Sequence, residues 1–414
     1  MHLFKKISLS GIASLSFAAS SLAVNKIFSV YFGAAGVGIL GHFQNIVAIF
    51  LTIPNDGINR SVNKFITKEA SQSTFNDYFS WVLAANAAIF IILIVFFALT
   101  PSSYAFVLPP ALIQWPGVAI LILGVLLHII TVTAVNLIIS RGYVPAFTVF
   151  SVLNNAGVAM LAYYFHHKGI VYSIFAVGLG INVMLVPMLI YLYVKEKNMF
   201  VGFKYTLNMK AAQHVVEFIL IALSGIVFGR LVDLYVRTFV ITHFSLTEAG
   251  LLHGVVKISD GYSTVFSAAL GALLISKFAG LANDNIGKEV LKVAGLVTMI
   301  CAFGLAVLYL CPEYFLLTLY NQDFVAANDM LRIQLIGDFF KFPAWIVGFM
   351  MMAQLRTKAY LALQAFSALV YILLISILIY SGLDNIIVVP IANSLRFFIY
   401  FVAMFWINMK YFLK

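Results

Sequence analysis

Charge is scarce in this chain. Of its 414 residues, only 10% are Asp, Glu, Lys or Arg. Soluble domains carry about a quarter, so a water-facing globule is excluded. Cysteine is scarcer still: Cys301 and Cys311 are the two present, both in or beside one apolar segment. They supply neither a disulfide framework nor metal-ligand spacing and read as lipid-facing or packing residues. No Gly-rich phosphate loop opens a soluble helix, which removes an ATP-hydrolysing module. No connection between apolar runs is long enough for a soluble domain, and the runs are continuous rather than alternating, which disfavours a transmembrane barrel.

Long apolar runs are what the chain has in abundance. It is 63% hydrophobic, with a mean hydropathy of +1.03. A membrane-crossing helix takes about 20 apolar residues, and such segments recur along the whole chain. The expected spans are 9–32, 37–60, 79–99, 117–139, 147–165, 170–193, 215–241, 250–276, 291–311, 333–355, 360–380 and 386–408. The fold class is therefore all-α integral membrane. The N-terminus, MHLFKKISLSGIASLSFAASSLA, resembles a signal peptide, but the apolar pattern continues past Lys26 to Phe32. It reads as an uncleaved first span.

Orientation follows from the connections. Lys5, Lys6, Lys64, Lys68, Arg141, Lys195, Lys197, Lys204, Lys210, Lys277, Lys288, Lys292, Arg356, Lys358, Lys410 and Lys414 fall on one side. On the other only Lys168 lies clearly in a loop, among acids such as Glu313 and Asp384. This bias places both termini in the cytoplasm. It also accounts for the net charge of +10 without a nucleic-acid partner. A basic linker at 197–214 divides the chain into two expected lobes of six helices, 1–196 and 215–414. YFGAAGVGIL after the first span echoes HFSLTEAGLL after the seventh, as an internal duplication would. Two-lobed transporters of this sort place their substrate site between the halves near the midplane.

Ionisable residues inside the spans carry the functional signal, because each costs roughly 2.5–3.5 kcal/mol on insertion scales if it faces lipid. In the seventh span Arg230, Asp233 and Arg237 share a helical face at i, i+3 and i+7. Lys257 and Asp260 follow in the eighth, and Asp338 and Lys341 in the tenth. Lys26 and Arg396 have no obvious local partner. Asp56 and Arg60, after Pro54, mark a kinked end of the second span and a candidate gate; Arg60 can equally snorkel to the surface. Glu217 reads as a carboxylate at a helix N-terminus. Two readings remain open. One is local pairing at helical spacing. The other, favoured by the surplus of Lys26, Arg230, Arg237, Lys257, Lys341 and Arg396 over Asp233, Asp260 and Asp338, is an anion-binding central cavity. Arginine grips phosphate oxygens in bidentate fashion and lysine acts as a point charge. The acids would hold those cations or carry protons. No His/Cys metal cluster is visible.

Three passages carry a family resemblance: YFGAAGVGILGHFQNIVAIFLTIPNDGINRSVNKFI, EAGLLHGVVKISDGYSTVFSAALGALLISKFAGL and YNQDFVAANDMLRIQLIGDFFKFPAWIVGFMMMAQ. They resemble the Wzx flippases of O-antigen and enterobacterial common antigen assembly. Those belong to the multidrug/oligosaccharidyl-lipid/polysaccharide (MOP) exporter superfamily, with MurJ and the MATE exporters. Gly337, Asp338 and Lys341 look like the GDxxK arrangement of the lipid III flippase branch. The resemblance implies twelve transmembrane helices in two six-helix lobes, set in a V around a central cationic cavity. It implies an undecaprenyl-diphosphate-linked oligosaccharide as cargo, an inner-membrane location, no enzymatic activity and H⁺ or Na⁺ as the coupling ion. The polymerase and chain-length regulator of the same pathway are the implied partners, besides membrane lipid. Two rival classes are a cation-coupled small-molecule exporter of the same fold and a membrane O-antigen polymerase. An enzyme of the second kind generally needs a catalytic external loop, and the external stretch PSSYAFVLPPALIQWP has no charge.

Overall fold

The computed structural model of the chain describes residues 2–99, 112, 114–281 and 283–412. Most of PSSYAFVLPPALIQWP lies outside them. Every described secondary-structure element is helical. In order they are α1 (His2–Thr52), α2 (Asn59–Phe65), α3 (Gln72–Leu99), α4 (Trp115–Ser140), α5 (Val144–Phe165), α6 (Ile170–Gly180), α7 (Leu185–Val201) and α8 (Met209–Gly225). They continue with α9 (Leu231–His243), α10 (Leu246–Ala279), α11 (Asn283–Leu310), α12 (Pro312–Leu319), α13 (Asn328–Ala353), α14 (Thr357–Tyr380) and α15 (Val388–Phe412).

Ten helical stretches among the described residues are long and apolar enough to cross a bilayer. The first, Leu9–Phe65, runs 57 residues and holds both of the first two expected spans. No loop separates them: the helix simply breaks at Gly33, at φ 66° and ψ −170°, a conformation open to glycine and costly for other residues. The expected eighth span corresponds to α10, which is outside the ten. Its 34 residues are ample for a crossing, but Glu248, Lys257, Asp260 and Lys277 lie along it.

Proline explains the kink expected at the end of the second span. Pro54 has no N–H to donate and its ring crowds the preceding turn. The chain answers with a widened turn over Ile53–Ile58, where the Asn59 N–H reaches back to the Pro54 carbonyl. The Asn59 side chain donates to the same oxygen at 2.8 Å.

The chain divides into two compact units. Unit 1 comprises Met1–Ile27 and Ile39–Leu234; unit 2 comprises Phe28–Gly38 and Tyr235–Lys414. In unit 1 a buried cluster including Ile58, Phe75, Ile138 and Met188 gathers α2, α3, α4 and α7. Lipid is as apolar as these side chains, so their burial gains little hydrophobic free energy and dispersion contacts and polar pairs hold the helices together. Thr131 accordingly donates to Asn182 at 2.9 Å between α4 and the turn after α6.

In unit 2, α13 is the inner helix. The most apolar part of its stretch is 72% buried, and α10, α11 and α15 pack around it. The echoed segments meet here. A Cβ on Gly38 would lie 2.5 Å from the Leu246 carbonyl oxygen, and one on Gly250 would lie 1.8 Å from that of Ala34. In the alignment of YFGAAGVGIL with HFSLTEAGLL, Gly38 matches Gly250 and Ala34 matches Leu246. Each repeat therefore makes the same contact on the other, a local two-fold crossing with backbone against backbone.

Candidate functional site

The seventh expected span is not one helix. Between α8 and α9 the turn Ile226–Arg230 widens, with the Leu231 N–H bonded to the Ile226 carbonyl. Such insertions in helices concentrate at functional sites. The register changes there, and the unit boundary follows at Leu234. Arg230 and Asp233 are exposed residues of unit 1, and Arg237 is a half-buried residue of unit 2. Arg230 closes the widened turn, and Asp233 and Arg237 follow it on the regular helix α9, so the register change precedes the trio and the unit boundary falls between Asp233 and Arg237. Glu217 also moves: α8 begins at Met209, so this carboxylate is mid-helix and exposed, and Asn208 caps the end by accepting from the Lys210 N–H at 2.9 Å. The same helix bounds leave residues 202–208 between α7 and α8, where the expected linker ran 197–214.

Asp338 and Lys341 form a closed pair. Asp338 has no exposed surface and the Lys341 side chain retains 7%. They lie one turn apart on α13, with Nζ 2.9 Å from Oδ1. Ser259 donates to Asp338 Oδ2 at 2.6 Å, the Tyr262 hydroxyl donates to the same oxygen, and Gln334 reaches Oδ1 at 3.4 Å. Lys341 also donates to the Ser259 hydroxyl at 3.1 Å. A buried carboxylate with three neutral donors and its own ammonium is satisfied within the protein. This pair ties α13 to α10 and leaves Lys341 little freedom to meet an anion.

Arg237 has a different setting. Its Nη2 lies 2.7 Å from Nδ1 of His253. His253 is 2% exposed and lies within electrostatic reach of both Arg237 and Lys257. Lys257 is one turn further along α10, 4.0 Å from Asp260, with 22% of its side chain exposed. Tyr320, just outside the spans, donates to the Gly254 carbonyl at 2.9 Å. Burial pushes its hydroxyl above the usual phenol range, and the Asp260 charge adds to that. Within unit 2, Arg237 of α9 and His253, Lys257 and Asp260 of α10 are therefore neighbours.

Arg396 lies elsewhere in unit 2, on α15. It donates to Ser367 at 2.9 Å and stacks on Tyr371 at 5.0 Å and Phe397 at 4.9 Å. Lys341 approaches the Phe397 ring too, at 5.6 Å, so one ring serves both cations. Lys26 is half-buried in α1. Asp56 and Arg60 pair at 3.0 Å with about half of each side chain exposed. Among the described residues no group of three His, Cys, Asp or Glu gathers to hold a metal ion.

Two structural residues escaped the sequence reading. Arg141 looks like a loop cation but is 4% exposed. It donates to the carbonyls of Thr67 at 2.7 Å and Lys68 at 3.2 Å and lies 3.9 Å from Glu196. Asp77 accepts from Thr206 and Asn208, each at 2.8 Å, and Trp81 donates to the Asn208 carbonyl at 2.9 Å. Together these clip the stretch between α7 and α8 onto α3. No local spacing announces either contact, because the partners lie tens of residues away in sequence.

With its apolar helices, the protein is a multi-pass membrane protein with the fold of the MOP-superfamily transporters. Over 98% of its length it superposes on an inward-facing MATE transporter of that superfamily, with TM-score 0.75, 13% identity and 94% of that chain covered. It superposes equally on the lipid II flippase MurJ in an inward closed conformation, with TM-score 0.75, 13% identity and 98% and 89% coverage. In sequence it is similar to the lipid III flippases of Escherichia coli (strain K12) and Shigella flexneri, each 23% identical over 353 residues and 83% of both chains. The resemblance to this branch and superfamily, read from the residues, is thus what the comparisons find. No family model matches the chain.

Proposed function

We propose that this protein is a flippase. It moves an undecaprenyl-diphosphate-linked oligosaccharide, an O-antigen repeat unit or lipid III, from the cytoplasmic to the periplasmic leaflet of the bacterial inner membrane. The observation that carries this reading is the similarity to lipid III flippases along 83% of the chain, together with Arg237 and Lys257 set beside His253 in unit 2. The fold alone does not choose between cargoes, since a drug exporter and a lipid flippase match it equally. The choice rests on sequence similarity and on the basic character of the site: an exporter of cationic drugs favours acids.

The physical task is to carry a polar head through hydrocarbon. Guanidinium and ammonium groups replace water around the diphosphate, and the polyprenyl tail stays in lipid. Twelve helices in two six-helix lobes, with both termini cytoplasmic, would open this site to each side in turn. A diphosphate diester carries about two negative charges, and each is worth about 2.3 kcal/mol per 100 mV. With the cytoplasm negative, outward passage is favoured by about 4–5 kcal/mol per 100 mV. H⁺ or Na⁺ return would reset the empty carrier. No bond is made or broken, so the protein acts without enzymatic chemistry. Deleting the gene tests the reading: a lipid-linked glycan accumulates on the cytoplasmic leaflet and its exported product disappears. A deletion strain with normal glycan export and no accumulated lipid refutes it.

A further inference from the structure

The Nε2 of His253 is a buried ring nitrogen of unit 2 with no hydrogen-bond partner among the described residues. Arginine can only donate, so the 2.7 Å contact between Arg237 Nη2 and His253 Nδ1 requires a lone pair on Nδ1. The neutral ring then carries its proton on Nε2. That nitrogen is closed off from solvent and has no hydrogen-bond partner among the described residues, on a residue only 2% exposed. Buried polar groups are nearly always paired, and an orphan requires an explanation. A structural histidine in a helix bundle would donate to a carbonyl or hydroxyl. This one keeps its donor unspent, one turn from Lys257 and against Arg237.

We propose that His253 is a neutral donor of the anion site: its Nε2–H bonds a phosphoryl oxygen of the cargo diphosphate, beside Arg237 and Lys257. The assignment rests on the diphosphate-lipid reading above and specifies which side chains hold the head group. Arg237 sets the tautomer that makes the donor available, and the phosphoryl oxygen supplies the acceptor that the described residues do not offer. An uncharged donor suits this position. A third cation against Arg237 and Lys257 would repel both, whereas an imidazole N–H adds a directed bond without adding charge. The bond forms as the helices around α10 open to admit the head group.

Amide isosteres separate the two ring nitrogens. In His253→Asn the amide oxygen can take the place of Nδ1 and still accept from Arg237, but nothing replaces the Nε2–H. In His253→Gln the longer amide carries an N–H to the Nε2 position. The probe is farnesyl diphosphate, titrated calorimetrically into the purified full-length protein in nanodiscs, with farnesol as the phosphate-free control. Thermal stability of each variant is checked first. The expected result is that His253→Gln binds within about threefold of the parent and His253→Asn at least about tenfold more weakly, a tenfold change being one hydrogen bond's worth. Farnesol binding is unchanged in both. Three outcomes overturn the proposal: His253→Asn binds like the parent, His253→Gln binds no better than His253→Asn, or the parent does not bind farnesyl diphosphate. If this binding pattern holds while glycan export is independent of the protein, the flippase reading falls and the anion site stands.

Discussion

Lys341 is the residue for which sequence and structure point to different roles, and its removal separates them. As a cavity cation it would matter for export and little for stability. In the structure Asp338 is fully buried, and Lys341 is its only charged partner among the described residues, at 2.9 Å. Lys341→Met keeps the length and removes the charge. It leaves a buried carboxylate with Ser259, Tyr262 and Gln334 as neutral donors. Breaking one side of a buried pair costs about 3–5 kcal/mol. Asp338→Asn strands the ammonium instead, at a similar cost of about 3–5 kcal/mol. The double variant Asp338→Asn/Lys341→Met strands neither charge, and its amide oxygen still accepts from Ser259 and Tyr262. Its loss is expected to be about 1–2 kcal/mol, the range of an ordinary hydrogen-bond change. The cycle therefore gives a coupling energy of about 4 kcal/mol or more, above the usual range for groups in contact. Unfolding by SDS in mixed micelles measures all four proteins. A Lys341→Met variant that loses under about 1 kcal/mol, with no recovery in the double variant, refutes the pinning role. Loss of export at full stability would return Lys341 to the cargo site.

Other substitutions probe the packing and the anion site. Gly250→Ala puts a methyl 1.8 Å from the Ala34 carbonyl oxygen, so the crossing must open, at about 1–3 kcal/mol or more. Gly304→Ala meets nothing within 4 Å and is expected to be neutral or slightly stabilising in the same micelle titration. Arg141→Ala removes the donors to the Thr67 and Lys68 carbonyls and is expected to cost about 2–4 kcal/mol, with faster proteolysis at residues 66–71. Arg237→Ala and Lys257→Ala are each expected to insert normally yet fail to restore glycan export in a flippase-null strain. Normal export by both would remove them from the mechanism.

Hydropathy made the helices legible because a bilayer demands long apolar runs, and Pro54 announced its turn because proline lacks an N–H. The repeat echo was legible as well, and Gly38 and Gly250 show why it matters: only glycine lets the two backbones touch. The second widened turn was harder to see. Ile226–Arg230 contains no proline, and its one local sign is the Gly225 and Gly229 pair flanking an apolar triplet. His253 was invisible as a functional candidate because it sits inside GLLHGVV, an ordinary apolar stretch, and its partner Arg237 is on another helix. Arg141 misled for the opposite reason. Beside Gly142 it has the look of a solvated turn cation, and its carbonyl partners lie some seventy residues earlier. Spacing reveals charge pairs on one helix, such as Asp338 and Lys341, but not whether the pair is closed or open, which depends on neighbours like Ser259 and Tyr262 from another helix.

The most direct test is transport itself. The purified protein is reconstituted into proteoliposomes holding an undecaprenyl-diphosphate-linked oligosaccharide on the inner leaflet, and a membrane-impermeant glycosidase reports its arrival outside. The account predicts that glycan becomes cleavable with time in the presence of the parent protein and stays protected with Arg237→Ala/Lys257→Ala. Glycan that remains protected with the parent, or that crosses as fast with the double variant, contradicts it.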